Sequence, residues 1–352
     1  MPRGPKVEMT ALATRRPLDV AVIGAGMSGL MCARTLADHG QRVRVFEKSR
    51  GPGGRMSTRR AGELSFDHGA QYFTVRDPRF QHLVRTWLDD GLVAPWAGAI
   101  AVVGQGALEI EDDPTERFVG VPGMNAVCRH LATDLDVAYG VRIAGLARDG
   151  SRWRLHAGDE EIGRFDAVVV SAPAPQTASL LAEVAPGLGE RAAAVEMAPC
   201  WAVMVRFAEP LGLPFDGAFV HGSPLSWVAR NDSKPGRPPL ETWVLHGSPE
   251  WSEKHLEVGT ERAARRLVDA FREALGRDLA APDHLLAHRW RFALPTDRLP
   301  EPCRFDPELA VAACGDWAGG PRVEGAFLSG GAAASRLLAL RPSSGRPSPL
   351  DD

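Results

Sequence analysis

Five cysteines, Cys32, Cys128, Cys200, Cys303 and Cys314, are an odd number, and no two stand in a C-x-x-C pair. That spacing speaks against a disulfide framework and a structural zinc site, and fits free thiols in a reducing cytosol. Long hydrophobic runs are missing too. The stretch Val20–Ala33 is apolar, but it is too short to span a bilayer and three glycines interrupt it. The first 17 residues carry charges and prolines without the apolar segment of a secretory signal. Neither sign of charge dominates: the formal net charge is −3, which gives no footprint for nucleic acid or an anionic membrane surface. No internal repeat recurs at a fixed period. What these absences leave is a cytoplasmic globular chain of 352 residues, 44% hydrophobic, long enough for two domains.

Three kinds of segment lie between two tail-like ends, 1–17 and the Pro/Ser/Gly-rich 341–352. Asp19–Ile23, Arg42–Glu47, Asp166–Ser171 and Leu309–Cys314 are short apolar runs bounded by Gly, Pro or charge, and read as strands covered on both faces. Amphipathic helices are expected after Asp77-Pro78, after Pro122-Gly123 and from Thr260, where apolar residues recur at i, i+3, i+4 and i+7. Longer tryptophan-bearing strands, Cys200–Phe207, Pro224–Arg230, Glu241–Gly247 and His284–Phe292, are separated by Pro/Gly turns, as in an antiparallel or mixed sheet.

The strongest local signal is Val20-Ala-Val-Ile-Gly24-Ala-Gly26-Met27-Ser28-Gly29. It follows an apolar strand, opens a helix that Gly40 stops, and is followed by a second strand ending in Glu47. That is the βαβ context a dinucleotide fingerprint requires. Gly24 permits the tight turn, Gly26 lets backbone approach a diphosphate, and Gly29 lets the helix pack on the strand. The helix N-terminus favours the anion. Glu47 is placed for ribose hydroxyls and would repel a 2′-phosphate.

A second glycine-rich turn follows Lys48: Gly51-Pro-Gly53-Gly54-Arg55-Met56. Arg55 there can neutralise the far side of a diphosphate. This run resembles the second pyrophosphate motif of the amine-oxidase-like FAD superfamily. Near the C-terminus, Gly315-Asp316-Trp317 and Arg322-Val-Glu324-Gly325-Ala326 resemble that superfamily's closing motif. Asp316 is then expected at the ribityl hydroxyls, and the helix starting near Glu324 at the flavin N1–C2=O edge. In such proteins Gly69 and Ala70 return to the flavin ring and Ile143 meets the adenine through its backbone. No cysteine lies between Trp317 and Gly325, so the FAD is expected to be non-covalent.

Finer likeness runs through Phe66-Asp-His-Gly69-Ala-Gln71-Tyr72-Phe, Val119-Gly-Val-Pro-Gly-Met124, Ser226-Trp-Val-Ala-Arg230-Asn231-Asp-Ser-Lys234-Pro, Thr242-Trp243-Val-Leu-His246 and Ala287-His-Arg-Trp290. Together these resemble the bacterial renalase-like branch. The resemblance implies an FAD-dependent oxidase that takes a hydride at flavin N5 from a misreduced dihydronicotinamide dinucleotide. The products are NAD(P)+ and, with molecular oxygen as acceptor, hydrogen peroxide. Such a reaction needs flat aromatic walls and amide-type hydrogen bonds more than a strong base, with the donor carbon about 3–3.5 Å from its acceptor. Trp243, Trp290, Asn231, His246, Gln71 and Tyr72 are the candidates for that work. Lys234 and Arg237, in a Pro/Gly-rich loop, are placed for substrate phosphates. The alternatives are a flavin amine oxidase acting on a small amine and an FAD-binding protein without turnover. The first is weakened by the scarcity of tyrosine, of which the chain has only Tyr72 and Tyr139.

The expected architecture is α/β: a Rossmann-type FAD-binding domain from 18–75, 116–178 and 305–340, with a mixed-sheet substrate domain from 76–115 and 179–304 inserted. The substrate is a small molecule or dinucleotide, and no metal is expected.

Overall fold

The computed structural model describes residues 16–104, 107–297 and 301–340. A six-stranded sheet runs in the order Arg304–Asp306, Val311–Ala313, Ala167–Val170, Asp19–Ile23, Arg42–Glu47, Asp136–Tyr139. Every pairing is parallel except that of the Arg304–Asp306 edge. The four segments read as doubly covered strands are its four central ones, and their unbroken apolar character follows from burial on both faces. Val20, Val22 and Ala312 share one core with Leu30 and Ala33 of helix Met27–Asp38 and with Ala334 and Leu337 of helix Val323–Leu338. On the other face, Ala21, Ile23, Val168 and Val170 meet Trp153 and Leu155 of a three-stranded antiparallel sheet, together with helices Ala174–Leu181 and Pro186–Ala193.

The second large sheet has seven strands, in the order His284–Pro295, Met197–Arg206, Thr242–Gly247, Leu225–Arg230, Gly217–His221, Ile100–Gly104, Ala107–Ile110. Its pairings are antiparallel apart from Gly217–His221 with Ile100–Gly104. Helix Thr260–Leu275 covers one face, packing Leu267, Val268 and Phe271 against Trp201, Trp243 and Leu245. The opposite face is the floor of a large cavity whose other walls come from the nucleotide-type fold.

Two helix starts carry information about the site. Asp77 caps helix Pro78–Asp89, its carboxylate accepting from the Arg79 N–H at 2.9 Å. That helix packs Phe80 on Phe327 of the last long helix, ring centroids 4.9 Å apart. The helix expected after Pro122-Gly123 begins only at Ala126, after a turn in which the Ala126 N–H donates to the Gly123 carbonyl at 2.9 Å; the Met124 N–H donates to the Asp67 carboxylate at 2.9 Å. Among the described residues, no helix is long and apolar enough to cross a membrane.

Candidate active site

The cavity encloses about 2490 Å³, more than twice the roughly 300–1,000 Å³ of ordinary small-molecule pockets. Its nucleotide end is built largely from backbone. Gly24 has φ +108°, and a Cβ there would lie 2.4 Å from the Ser171 carbonyl oxygen; a Cβ on Gly29 would lie 2.0 Å from the Gly24 oxygen. These two glycines are demanded by the fold. Gly26 is different: its φ is −83°, an added Cβ would meet no protein atom within 4 Å, and it lines the cavity. Packing does not require glycine there, so the close approach of a ligand is the physical reason for it.

The second glycine turn lies directly against the first. Gly53 N–H donates to the Ala25 carbonyl at 2.9 Å, and Gly54, at φ +52°, brings its Cβ direction to 3.4 Å from Gly26 Cα. Glu47 is buried at the strand end, its two oxygens accepting from Ala25 N–H and Ser49 N–H, each at 2.8 Å. Met27, Ser28, Lys48, Met56, Gly69, Ala70 and Ile143 line the same space, and Ser28 Oγ is buried without a hydrogen-bond partner.

The closing motif is held by bonds within the protein. Arg55 and Asp316 hold each other, Nη1 to Oδ2 at 2.7 Å and Nη2 to Oδ1 at 2.6 Å, and Arg55 also donates to the Ala293 carbonyl at 3.0 Å. Glu324 accepts from the Arg76 and Asp77 N–H groups at 2.6 and 2.7 Å, which braces the loop entering helix Pro78–Asp89. Gly325 is needed for packing, since its Cβ would sit 2.1 Å from the Gly320 oxygen. Of this helix start, Val323 and Ala326 line the cavity while Glu324 and Gly325 do not.

At the other end a row of residues lies in register across five strands, of which His288, His246 and Phe219 line the cavity. His288 pairs with Ala202, Ala202 with His246, His246 with Trp227, and Trp227 with Phe219. Directly opposed residues point to one face, and four interstrand steps of about 4.8 Å set His288 and Phe219 roughly 19 Å apart. Trp290 and Cys200, also paired, extend it. His68 closes one end: its ring stacks on Trp290 (centroids 5.1 Å, 27°) and meets His288 edge-on at 5.0 Å. The His68 carbonyl accepts from Trp290 Nε1 at 2.9 Å and lies 3.3 Å from His246 Nε2. Burial lowers all three imidazoles, His68 to about 3 and His246 to about 4, so the wall is neutral at ordinary pH. Tyr72 closes the other end, between Trp227 and the Arg117 guanidinium, which lies 5.3 Å over its ring.

Three candidates named from sequence are not at the cavity. Trp243 is fully buried on the opposite face, between Phe215 and Phe271. It stands three residues from His246 on one strand, and period-two alternation sends the two to opposite faces. Asn231 is 1% exposed and ties one strand down, its Oδ1 accepting from Asp67 N–H at 3.1 Å and its Nδ2 donating to the Ser65 carbonyl at 2.9 Å. Gln71 turns inward, donating to the Asp67 and Gly69 carbonyls and accepting from Lys234 Nζ at 2.9 Å.

Lys234 and Arg237 are likewise not a phosphate-binding loop. Their side chains are 0% and 1% exposed and surround Asp67, itself 0% exposed. Arg237 Nε reaches Asp67 Oδ2 at 3.1 Å, with Nη2 on the same oxygen, and Lys234 Nζ lies 3.9 Å away and 5.5 Å from the Trp96 ring centroid.

The residues missed by sequence reasoning are His68, His288, Cys200 and Phe219. His288 and Trp290 are two apart on one strand, a spacing that puts them on one face. Phe219 and Cys200 join them only through cross-strand register, which one sequence does not display. Charge was missed as well. Twelve lysines and arginines line the cavity against four carboxylates, Glu47, Glu111, Asp113 and Asp316, although the whole chain has net charge −3.

Comparison with known proteins identifies the family. Residues 22–87 match the family model described as NAD(P)-binding Rossmann-like domain, and residues 106–338 match that described as flavin containing amine oxidoreductase. A 4,4'-diapophytoene desaturase (4,4'-diaponeurosporene-forming) of Staphylococcus haemolyticus is 42% identical over 60 residues, 17% of this chain and 12% of its own. The tRNA 5-methylaminomethyl-2-thiouridine biosynthesis bifunctional protein MnmC of Magnetococcus marinus is 28% identical over 203 residues, 46% of this chain and 30% of its own. The chain therefore spans under a third of the length of these relatives. Among solved structures, cyclohexylamine oxidase from Brevibacterium oxydans has TM-score 0.72 at 15% identity, covering 92% of this chain and 99% of that one. A candidate protoporphyrinogen oxidase from Exiguobacterium sp. 255-15 has TM-score 0.74 at 12% identity, covering 91% and 98%. At such identities these two speak for the fold.

Proposed function

The chain belongs to the flavin-containing amine oxidoreductases, and from that premise we propose that it is a renalase-like oxidase of dihydronicotinamide dinucleotides. It is an oxidoreductase with FAD as cofactor. When bound, FAD supplies the ring that accepts the hydride. In this reading one dihydropyridine, one oxygen molecule and one proton give one NAD(P)+ and one hydrogen peroxide.

The residues present fit FAD. The open Cβ direction at Gly26 leaves room for a diphosphate beside the helix start at Met27, and the Glu47 carboxylate sits beside the same turn. Gly24, Gly29, Gly54, Arg55, Asp316 and the helix start at Val323 would complete the hold.

The observation that carries the substrate reading is the cation excess of the cavity. A dinucleotide brings phosphates that such a field attracts; an ammonium would be repelled. Three of the four carboxylates are also engaged already: Glu47 by backbone, Asp316 by Arg55 and Asp113 by Arg117. The neutral rings suit a flat dihydropyridine, and the roughly 19 Å between His288 and Phe219 exceeds what a small amine needs. His68, His246 and Trp290 orient and exclude water. No proton must be taken from a heteroatom before the hydride leaves, so neutral imidazoles suffice.

The test is anaerobic mixing of the yellow protein with borohydride-reduced NAD+, a mixture of dihydro isomers, with pure NADH and a panel of amines in parallel. Rapid flavin bleaching by the mixture, and not by pure NADH or the amines, is the expected outcome. Bleaching by an amine alone would replace this reading with that of a small-amine oxidase.

A further inference from the structure

Four of the eleven arginines that line the cavity are matched by a carboxylate. Arg55 pairs with Asp316, Arg117 with Asp113, and Arg289 and Arg291 with Glu257. Of the seven without an ion-pair partner among the described residues, Arg59 stands beside the ring wall. It lies on strand Thr58–Ala61, opposite Phe66 of strand Leu64–Asp67, and that second strand leads straight into His68. Phe66 stacks on His284, and His68 stacks on Trp290, both on strand His284–Pro295. The hairpin therefore lies along this edge strand, and places Arg59 beside His68 and His288. After burial, the Arg59 charge is among the causes that keep both imidazoles neutral. Arg59 is exposed, lines the cavity, and has no ion-pair partner among the described residues.

An unmatched guanidinium next to a flat, neutral wall of indole and imidazole is the combination that recognises a ring carrying a phosphate. Resting on the dinucleotide reading above, we infer that Arg59 anchors the phosphate nearest the reacting ring of the substrate, the ring itself lying along His68, His288 and Trp290. Arg265, exposed on the helix that covers the far face of the seven-stranded sheet, serves as the control.

The experiment uses the FAD-loaded protein and two pairs of probes: borohydride-reduced nicotinamide mononucleotide and riboside for flavin bleaching, and the oxidised pair for calorimetric binding. The wild type should bind the mononucleotide about tenfold or more tightly than the riboside, by both readouts. Arg59→Gln should erase that preference while leaving the riboside unchanged, Arg59→Lys should restore part of it, and Arg265→Gln should keep it. A wild type that does not distinguish the two probes, an Arg59→Gln variant that still does, or an equal loss in Arg265→Gln would overturn the assignment while the dinucleotide reading stood. Failure of every dihydropyridine, riboside included, to bleach the flavin would sink that reading, and this inference with it.

Discussion

Two aspartate–arginine pairs flank this cavity, and they differ in almost everything except chemistry. Asp67 and Arg237 have side chains 0% and 1% exposed, with Lys234 beside them at 0%. Asp316 and Arg55 are 11% and 28% exposed and line the cavity itself. The first cluster joins segments more than 160 residues apart, gathering the Thr58 hydroxyl, the Met124 N–H and the Arg237 side chain on one carboxylate. It holds still the loop whose next residues, His68 to Ala70, border the cavity. The second pair faces the space a ligand enters, where water or a ligand can stand in for either partner. A buried ion cluster is scaffold because nothing can replace a lost partner; a half-wet pair can exchange partners.

The sharpest way to break that contrast is Asp67→Asn. It leaves two cations in a dry site, and breaking a buried pair in this way costs about 3–5 kcal/mol. Urea unfolding of the FAD-loaded protein should show a loss of that order, or no folded protein at all. A loss below about 1 kcal/mol would mean the cluster is wetter than its burial implies. Asp67→Asn combined with Arg237→Met should recover part of the loss, because it removes one of the orphaned charges.

The same cluster predicts a pH dependence. Burial brings the Lys234 ammonium down to about 7, the Asp67 charge opposing the shift and Arg237 adding to it. In the unfolded chain a lysine titrates near 10.4. Between those values the unfolded state holds more protons than the folded one, so stability rises with pH from about 7 to about 10. His68 and His246, lowered by burial to about 3 and about 4, act in the same sense at lower pH: their contribution is present above about 6.5 and is lost as pH falls below it. Denaturation midpoints measured from pH 6.5 to 10 should climb in the wild type and flatten in Lys234→Met. An unchanged slope in the variant would remove Lys234 from the account.

The two ends of the cavity were also unequally legible in the sequence. The nucleotide end is local: Gly24, Gly26 and Gly29 sit within six residues of one another, each needed by backbone geometry, and Glu47 follows on the next strand. Backbone requirements leave their mark on residue type, and the sheet with its four doubly covered strands followed from the same apolar runs. The substrate end is assembled by register between strands. Trp243 and Trp290 look alike in sequence, yet one is core and the other wall, and only alternation against His246 separates them. The exposed-looking loop from Asn231 to Pro239 carries lysine, arginine and asparagine but is drawn inward by Asp67, a carboxylate more than 160 residues earlier. Composition could not reveal that, because burial of a charge depends on its partner being there.

The smallest expected effect lies with the outer pair, and it tests the comparison most finely. Asp316→Asn keeps the shape of the side chain and leaves Arg55 its bond to the Ala293 carbonyl at 3.0 Å. With both groups in contact with the cavity, the loss of attraction is screened, and the stability of the FAD-free protein should change by about 0–1 kcal/mol. FAD binding should respond differently. If Asp316 accepts from ligand hydroxyls, the amide can still accept but without charge assistance, which is worth about tenfold in affinity. Equilibrium dialysis of FAD against wild type and Asp316→Asn, beside their unfolding midpoints, separates the two quantities. A variant whose stability fell as far as that of Asp67→Asn would make both pairs scaffold. One whose FAD affinity did not move would leave Asp316 as the partner of Arg55 and nothing more.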